Sequence, residues 1–249
     1  MQIIACYSNK GGVGKTAVAV NLAYAYAASG KRTLLCDLDP QGASGFYFRV
    51  KPSKKLTEGR FFEDVDRFAK AIRGSDYHNL DILPSNMSFR EFDIFLSRMK
   101  NSRSRLKKAL KGVKSDYGVV ILDCPPNISM LSENVLRAAD AVVVPVIPTT
   151  LSQRTFEQLL DFFKSNDLPV RKIHAFFSMV QVSKGLHRET ISEMMEANPR
   201  RFMQAQIPSA SEIERMGRSR APVLATSPNH PGGKAYQALF NELVGRIEK

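Results

Sequence analysis

Lys15 and Thr16 close a glycine-rich stretch, Lys10-Gly11-Gly12-Val13-Gly14-Lys15-Thr16, that follows at once on the apolar run Gln2 to Tyr7. Glycines at this density let backbone N–H groups curl around phosphate oxygens without side-chain clash. The lysine can reach the β- and γ-phosphates of a nucleotide, and the neighbouring hydroxyl can bind magnesium. The general phosphate-loop pattern asks for a glycine at position 9, where this chain has Asn9. The context still fits: Gly14-Lys15-Thr16 stands between a strand pattern and a helix pattern, and a helix N-terminus adds partial positive charge for an anion. Residues 10–17, ending at Ala17, are therefore the candidate cradle for ATP and Mg2+.

Two acidic motifs follow. Asp37-Leu38-Asp39-Pro40-Gln41-Gly42 ends a short apolar run, and Asp123-Cys124-Pro125-Pro126 ends another, Gly118 to Leu122. Attack on a γ-phosphoryl group needs a polar residue that fixes a water and a metal that absorbs developing charge. Two carboxylates one residue apart at the end of a strand could supply both; taken alone, a pair of turn-forming aspartates explains them equally well.

The elements that must position these residues are legible as a βαβ unit. Residues 2–7 read as a buried strand, Thr16 to Ser29 as a helix stopped by Gly30, and Thr33 to Cys36 as a second strand. The crossover implies a parallel pair. Further strands are expected at Asn79–Leu83, Gly118–Leu122, Ala141–Val146 and Ile173–Val180, with a helix over 130–138. Strands this apolar suit a sheet covered on both faces. The expected architecture is α/β: a mostly parallel twisted sheet with helices on both faces, forming a single domain over residues 1–249.

Composition narrows the classes. With 43% hydrophobic residues the chain can bury a sizeable core, and no stretch approaches the ~20 apolar residues of a membrane span. The N-terminus lacks the pattern of a signal peptide. Cys6, Cys36 and Cys124 have no paired spacing, so they read as buried core thiols rather than a disulfide or metal set. The formal charge of +12 favours polyanionic partners. Its densest source is residues 98–114, with eight basic residues and no acid, expected to be one basic helix beside the sheet with a solvated face.

Lys10, a second lysine inside the loop, gives the stretch a close resemblance to the deviant Walker A motif, Lys-Gly-Gly-x-Gly-Lys-[Ser/Thr], of the ParA/MinD family. The resemblance extends to Asp37–Gly42, to Asp123–Pro126, to Pro145–Thr150 with Ser152, and to Gln206–Ser209, and so covers nearly the whole chain. It implies a P-loop ATPase fold. Lys10 would reach across a dimer interface to the partner's nucleotide, Lys15 would hold the phosphates and Asp39 would orient the attacking water. Thr16, Asp37 and Asp123 would lie around magnesium, and Pro208 near the base. Ser209 and Ala210 stand where the family often has arginine and asparagine, so contacts to the base do not carry over residue by residue.

Within that family the sequence resembles the small ParA-like form. It lacks the cysteines of nitrogenase-type reductases. It ends on what reads as a last core helix, without an appended amphipathic anchor, and leaves no room before residue 10 for a helix-turn-helix domain. The resemblance then implies an ATP-bound homodimer on non-specific double-stranded DNA, a ParB-like or other adaptor that stimulates hydrolysis, no membrane, and a cytoplasmic, nucleoid-associated location. Arg200, Arg201, Arg215, Arg218 and Arg220 are the candidate phosphate contacts. A MinD-like membrane-positioning ATPase and a P-loop metabolic ligase are the alternatives.

Overall fold

Five of the apolar runs become the central strands of an eight-stranded sheet in the computed structural model, which describes residues 1–248. The strands are β1 (Gln2–Cys6), β2 (Thr33–Asp37), β3 (Arg73–Gly74), β4 (Leu80–Leu83), β5 (Val119–Asp123), β6 (Ala141–Val146), β7 (Ile173–Val180) and β8 (Phe202–Pro208). Their order is β3-β4-β2-β5-β1-β6-β7-β8, parallel throughout except for β3, which runs antiparallel to β4 at one edge. β1 lies between β5 and β6, and β2 lies beside β5. The loops after β1, β2 and β5 therefore emerge side by side, at the carboxyl ends where open α/β sheets bind ligands.

Helices cover both faces. One face carries α1 (Lys15–Ala28), α2 (Ala43–Tyr47) and the C-terminal helices α10 (Ser211–Glu214), α11 (Met216–Ser219), α12 (Val223–Thr226) and α13 (Pro231–Ile247). The other carries α3 (Glu58–Glu63), α4 (Val65–Ala71), α5 (Phe92–Arg98), α6 (Arg105–Lys111), α7 (Met130–Ala138), α8 (Thr150–Ser165) and α9 (Gly185–Ala197). β1, β2, β5 and β6 are buried almost end to end, which is why they read as unbroken apolar runs. No helix among the described residues is long and apolar enough to cross a membrane.

The expected helix over 130–138 matches α7, and α1 stops at Ala28, with Gly30 at φ +89°. The expected basic helix at 98–114 needs correction. α5 ends at Arg98, Asn101 adopts a left-handed φ of +56°, a 3-10 turn follows, and α6 starts only at Arg105. Asn tolerates that conformation and breaks the helix in two. β8 was not foreseen as a strand: Phe202, Met203 and Ile207 are buried but Gln204 is exposed, so its apolar signal is short and interrupted.

α13 approaches the preceding segment through Gly233. A Cβ there would lie 2.2 Å from the Ser227 carbonyl oxygen and 2.8 Å from Pro228 Cα, both backbone atoms that cannot swing away. Gly233→Ala is therefore expected to cost roughly 1–3 kcal/mol. Urea unfolding should show a lowered midpoint with an unchanged slope.

Candidate active site

The loop between β1 and α1 is shaped by two left-handed glycines, Gly12 at φ +70° and Gly14 at φ +96°. A Cβ at Gly11 or Gly12 would meet nothing within 4 Å, so these glycines face open space where a ligand can approach the backbone. α1 begins with no acidic residue in its first turn and no side-chain cap, which leaves its first N–H groups for an anion. Val13 is buried, and Ala17 is half-buried in the first turn of the helix. Lys15 is only 7% exposed and its Nζ donates to the Lys10 carbonyl at 3.1 Å. Burial lowers its pKa, while the nearby carboxylates of Asp123 and Asp39 pull it back up.

Lys10 sits on the lip of the loop. Its Nζ donates to Ser152 Oγ at 3.2 Å, and that hydroxyl lies 3.0 Å from Thr149 Oγ1, the N-cap of α8. The segment after β6 thus holds Lys10 through a neutral hydroxyl rather than a carboxylate. Pro208 ends β8 opposite Val180 of β7, two residues beyond Ser178, whose Oγ would lie 3.1 Å from a Cβ on Gly14.

The acids meet because their strands do. Asp37 of β2 and Asp123 of β5 are register partners, and both are fully buried. Asp37 accepts from the Asp39 N–H at 3.2 Å and the Gly45 N–H at 3.3 Å. Asp123 Oδ2 accepts from Ser44 Oγ at 2.8 Å, while its Oδ1 is buried with no partner among the described residues. Burial drives the Asp123 pKa up to about 6, with the Ser44 and Thr16 hydroxyls opposing the rise. Asp37 is also raised well above the usual carboxylate range, first by burial and then by Asp123. Asp39 is half-buried; its Oδ1 accepts from the Gln41 N–H at 3.0 Å and its carbonyl from the Gly42 N–H at 2.9 Å.

These residues fit a hard divalent cation. An orphaned carboxylate oxygen, a second buried carboxylate in register and a threonine hydroxyl form an all-oxygen donor set, with the Lys15 ammonium beside it. Among the described residues no cluster of three His, Cys, Asp or Glu side chains forms a closed metal cage. Magnesium suits such an incomplete set because it keeps waters and takes phosphate oxygens. The three cysteines are buried, and burial pushes their thiols up, which keeps them unreactive.

Two partners were not anticipated. Ser44 donates to Asp123 from α2, at no motif spacing a reader of the sequence would test. Ser178 of β7 reaches the loop from a strand far along the chain.

The five candidate arginines do not form one surface. Arg200 and Arg201 precede β8, at the amino end of the sheet, whereas Arg215, Arg218 and Arg220 follow its carboxyl end. Arg200, Arg215 and Arg218 are exposed. Arg201 is half-buried, with its Nε enclosed. Arg220 is turned onto α2: its Nε donates to the Phe46 carbonyl at 3.0 Å, and its guanidinium stacks 4.7 Å from the Phe46 ring.

Known proteins with this pattern are numerous. The family model described as AAA domain (AAA_31) matches residues 1–172. The sporulation initiation inhibitor protein Soj of Bacillus subtilis is 30% identical over 251 residues, covering 98% of both chains. The chromosome partitioning protein ParA of Myxococcus xanthus is 28% identical over 251 residues, covering 98% of this chain and 88% of its own. Among solved structures, cobyrinic acid a,c-diamide synthase of Mycobacterium smegmatis with bound ATP analogue and magnesium superposes with a TM-score of 0.82 over 100% of this chain and 96% of that one. At 24% identity that likeness is one of fold.

Proposed function

This chain belongs to the ParA/MinD family of P-loop proteins, and from that premise we propose that it is an ATP-dependent dimerising ATPase that binds double-stranded DNA without sequence preference and positions a cargo. The observation that carries the proposal is the convergence of Lys10, Lys15, Asp37, Asp39 and Asp123 around one glycine loop.

In this reading the backbone of residues 10–17 and the ammonium of Lys15 bind the phosphates of ATP. Thr16, Asp37 and Asp123 would hold magnesium, directly or through water. Magnesium there would supply positive charge against the charge that builds up on the phosphates during transfer. Asp39 orients the water that attacks the γ-phosphorus, so that the bond to the β–γ bridging oxygen breaks and ADP and phosphate leave. Lys10, whose Nζ donates to Ser152 Oγ within one chain, turns to the nucleotide of a second copy and adds positive charge from outside, as an arginine finger does. Dimerisation would then present the exposed arginines to DNA, and an adaptor that speeds hydrolysis would release the protein. The partitioning relatives support this reading, which carries with it a single domain and a nucleoid-associated location.

Retention of unrelated duplex DNAs by the purified protein tests it. We expect retention with ATP to exceed that with ADP or no nucleotide by at least about tenfold, to be indifferent to sequence, and to fall steeply with salt. Equal retention in all three nucleotide states would remove the ATP-gated step. No retention in any state, with ATP binding intact, would move the tether from DNA to another surface.

A further inference from the structure

α6 turns Leu106, Ala109 and Leu110 into the core and leaves Lys107, Lys108 and Lys111 exposed along one side. None of these three lysines has a carboxylate within 4.0 Å among the described residues. Like charges this close on a short helix destabilise it slightly, so a stripe without counter-ions calls for an anionic partner.

One depression opens at the stripe, and a second lies on α4, the helix packed against the end of α6. The first, of about 410 Å³, opens between α6, the end of α7 and the segment before β7, and is lined by Arg103, Lys107, Arg137 and Lys172 together with one acid, Asp167. Glu133 takes up Arg103 at 3.0 Å and Arg137 at 2.9 Å, while Lys107 and Lys172 have no ion pair within 4.0 Å among the described residues. Burial pushes the Lys172 pKa down; Asp140 opposes this, and Lys107, Arg171 and Arg137 add to it. The other depression, of about 740 Å³, is lined by Lys54, Lys55, Arg67, Lys70 and Arg73 around Asp64 and Asp66. Asp64 is engaged by Arg67 at 3.6 Å and caps α4 through the Arg67 N–H. α4 lies directly against the end of α6, because a Cβ on Gly112 would run into Val65 Cγ1.

The chemistry of this strip selects among polyanions. α6 offers no outward apolar side chain to a bilayer, because its apolar side is already in the core. No aromatic ring lines either depression, so unpaired bases have nothing to stack on. Separated cations with flexible stems suit a regular array of phosphates, which a DNA duplex presents at about one charge per 1.7 Å of axis.

We propose that α6 and these two depressions form a docking surface for the phosphate backbone of double-stranded DNA, separate from Arg215 and Arg218. The inference rests on the DNA-binding reading above and adds a second phosphate-contacting surface, on a different part of the molecule from the exposed arginines. Arg215 and Arg218 follow the carboxyl end of the sheet, whereas α6 leads into the amino end of β5 and Lys172 directly precedes β7. The strip is complete within one chain, so it retains DNA at low salt without nucleotide, and an ATP-bound dimer strengthens that retention by presenting two strips.

The test compares wild type, the triple variant Lys107→Ala, Lys108→Ala, Lys111→Ala, and the double variant Arg215→Ala, Arg218→Ala in a salt series with unrelated duplexes, with and without ATP. Loss of three phosphate contacts should flatten the slope of log affinity against log salt by roughly 2–3 and weaken binding at least about tenfold. The nucleotide-free, low-salt binding should vanish in the triple variant and persist in the double variant. ATP affinity and melting temperature, unchanged in the triple variant, confirm that it is folded. A triple variant with wild-type slope and affinity overturns the surface and leaves the DNA reading standing. A wild type that binds no duplex under any condition overturns both. Wild-type capture by anionic vesicles but not duplex, lost in the triple variant, reassigns the strip to lipid and overturns the proposal.

Discussion

Asp39→Ala is expected to lower the rate of ATP hydrolysis by about 10²–10³-fold, the usual contribution of a residue that positions and polarises an attacking group. ATP affinity should change little. The separation follows from where Asp39 stands. It is half-buried in the turn after β2 and is not one of the two fully buried carboxylates in register. Its Oδ1 is fixed by the Gln41 N–H and its carbonyl by the Gly42 N–H, in a turn stiffened by Pro40. The carboxylate is therefore aimed by local structure, and removing it leaves the glycine loop, Lys15 and the buried acids in place. Asp39→Asn separates orientation from charge, because an amide oxygen can still accept from Gln41. If the charge matters only through its hold on water, the asparagine variant should recover part of the lost rate. Single-turnover hydrolysis beside equilibrium binding of a fluorescent ATP analogue gives both numbers. Wild-type turnover by Asp39→Ala would exclude it from the water-positioning role.

What was legible in the sequence is what local chemistry demands. Residues 2–37 read correctly as strand, loop, helix and strand because glycines, an alanine-rich helix and Gly30 each act within a few positions. The apolar β5, β6 and β7 were visible because a strand buried on both faces needs no partner to reveal it. β8 was less visible, since an edge strand is half solvated and its pattern breaks at Gln204. The single basic helix expected at 98–114 failed at Asn101, where a left-handed residue ends one helix and a second starts afterwards. Asp37 and Asp123 could be picked out as acids at strand ends, but only sheet order makes them register partners. Likewise Lys10 and Ser152 are joined through β1 and β6, and the contact of Arg220 with Phe46 links segments that share no motif. Residue type and spacing identify groups able to do chemistry; strand order decides which of them meet.

That meeting has a thermodynamic consequence. Asp123→Asn is expected to stabilise the nucleotide-free protein while removing most of its response to magnesium and ATP. Two fully buried carboxylates side by side, with one oxygen lacking any donor among the described residues, oppose folding when both are charged. Burial lifts the Asp123 pKa from 3.8 to about 6. The folded state then holds this proton more tightly than the unfolded state does. Below pH 3.8 both states are protonated and the group contributes nothing to the difference. As pH rises from about 4 through about 6 the unfolded chain releases the proton first, so stability falls over that window and stays lower above it. A shift of this size corresponds to roughly 3 kcal/mol at neutral pH, and the raised pKa of Asp37 carries the same trend further upward. Wild-type protein without nucleotide should therefore melt at a lower temperature at pH 7.5 than at pH 5.5, with a smaller difference in Asp123→Asn. At pH 7.5 the variant should exceed wild type by about 1–3 kcal/mol in chemical denaturation. Magnesium with ATP should reverse the order, because a divalent cation compensates the paired carboxylates of wild type and finds one fewer in the variant. A variant less stable than wild type without nucleotide at neutral pH would show that the stronger hold of a carboxylate than an amide on the Ser44 donor outweighs the repulsion. The buried pair would then not oppose folding. The opposite result would make these acids a cost that the bound nucleotide and its metal relieve, so that binding and folding strength rise together.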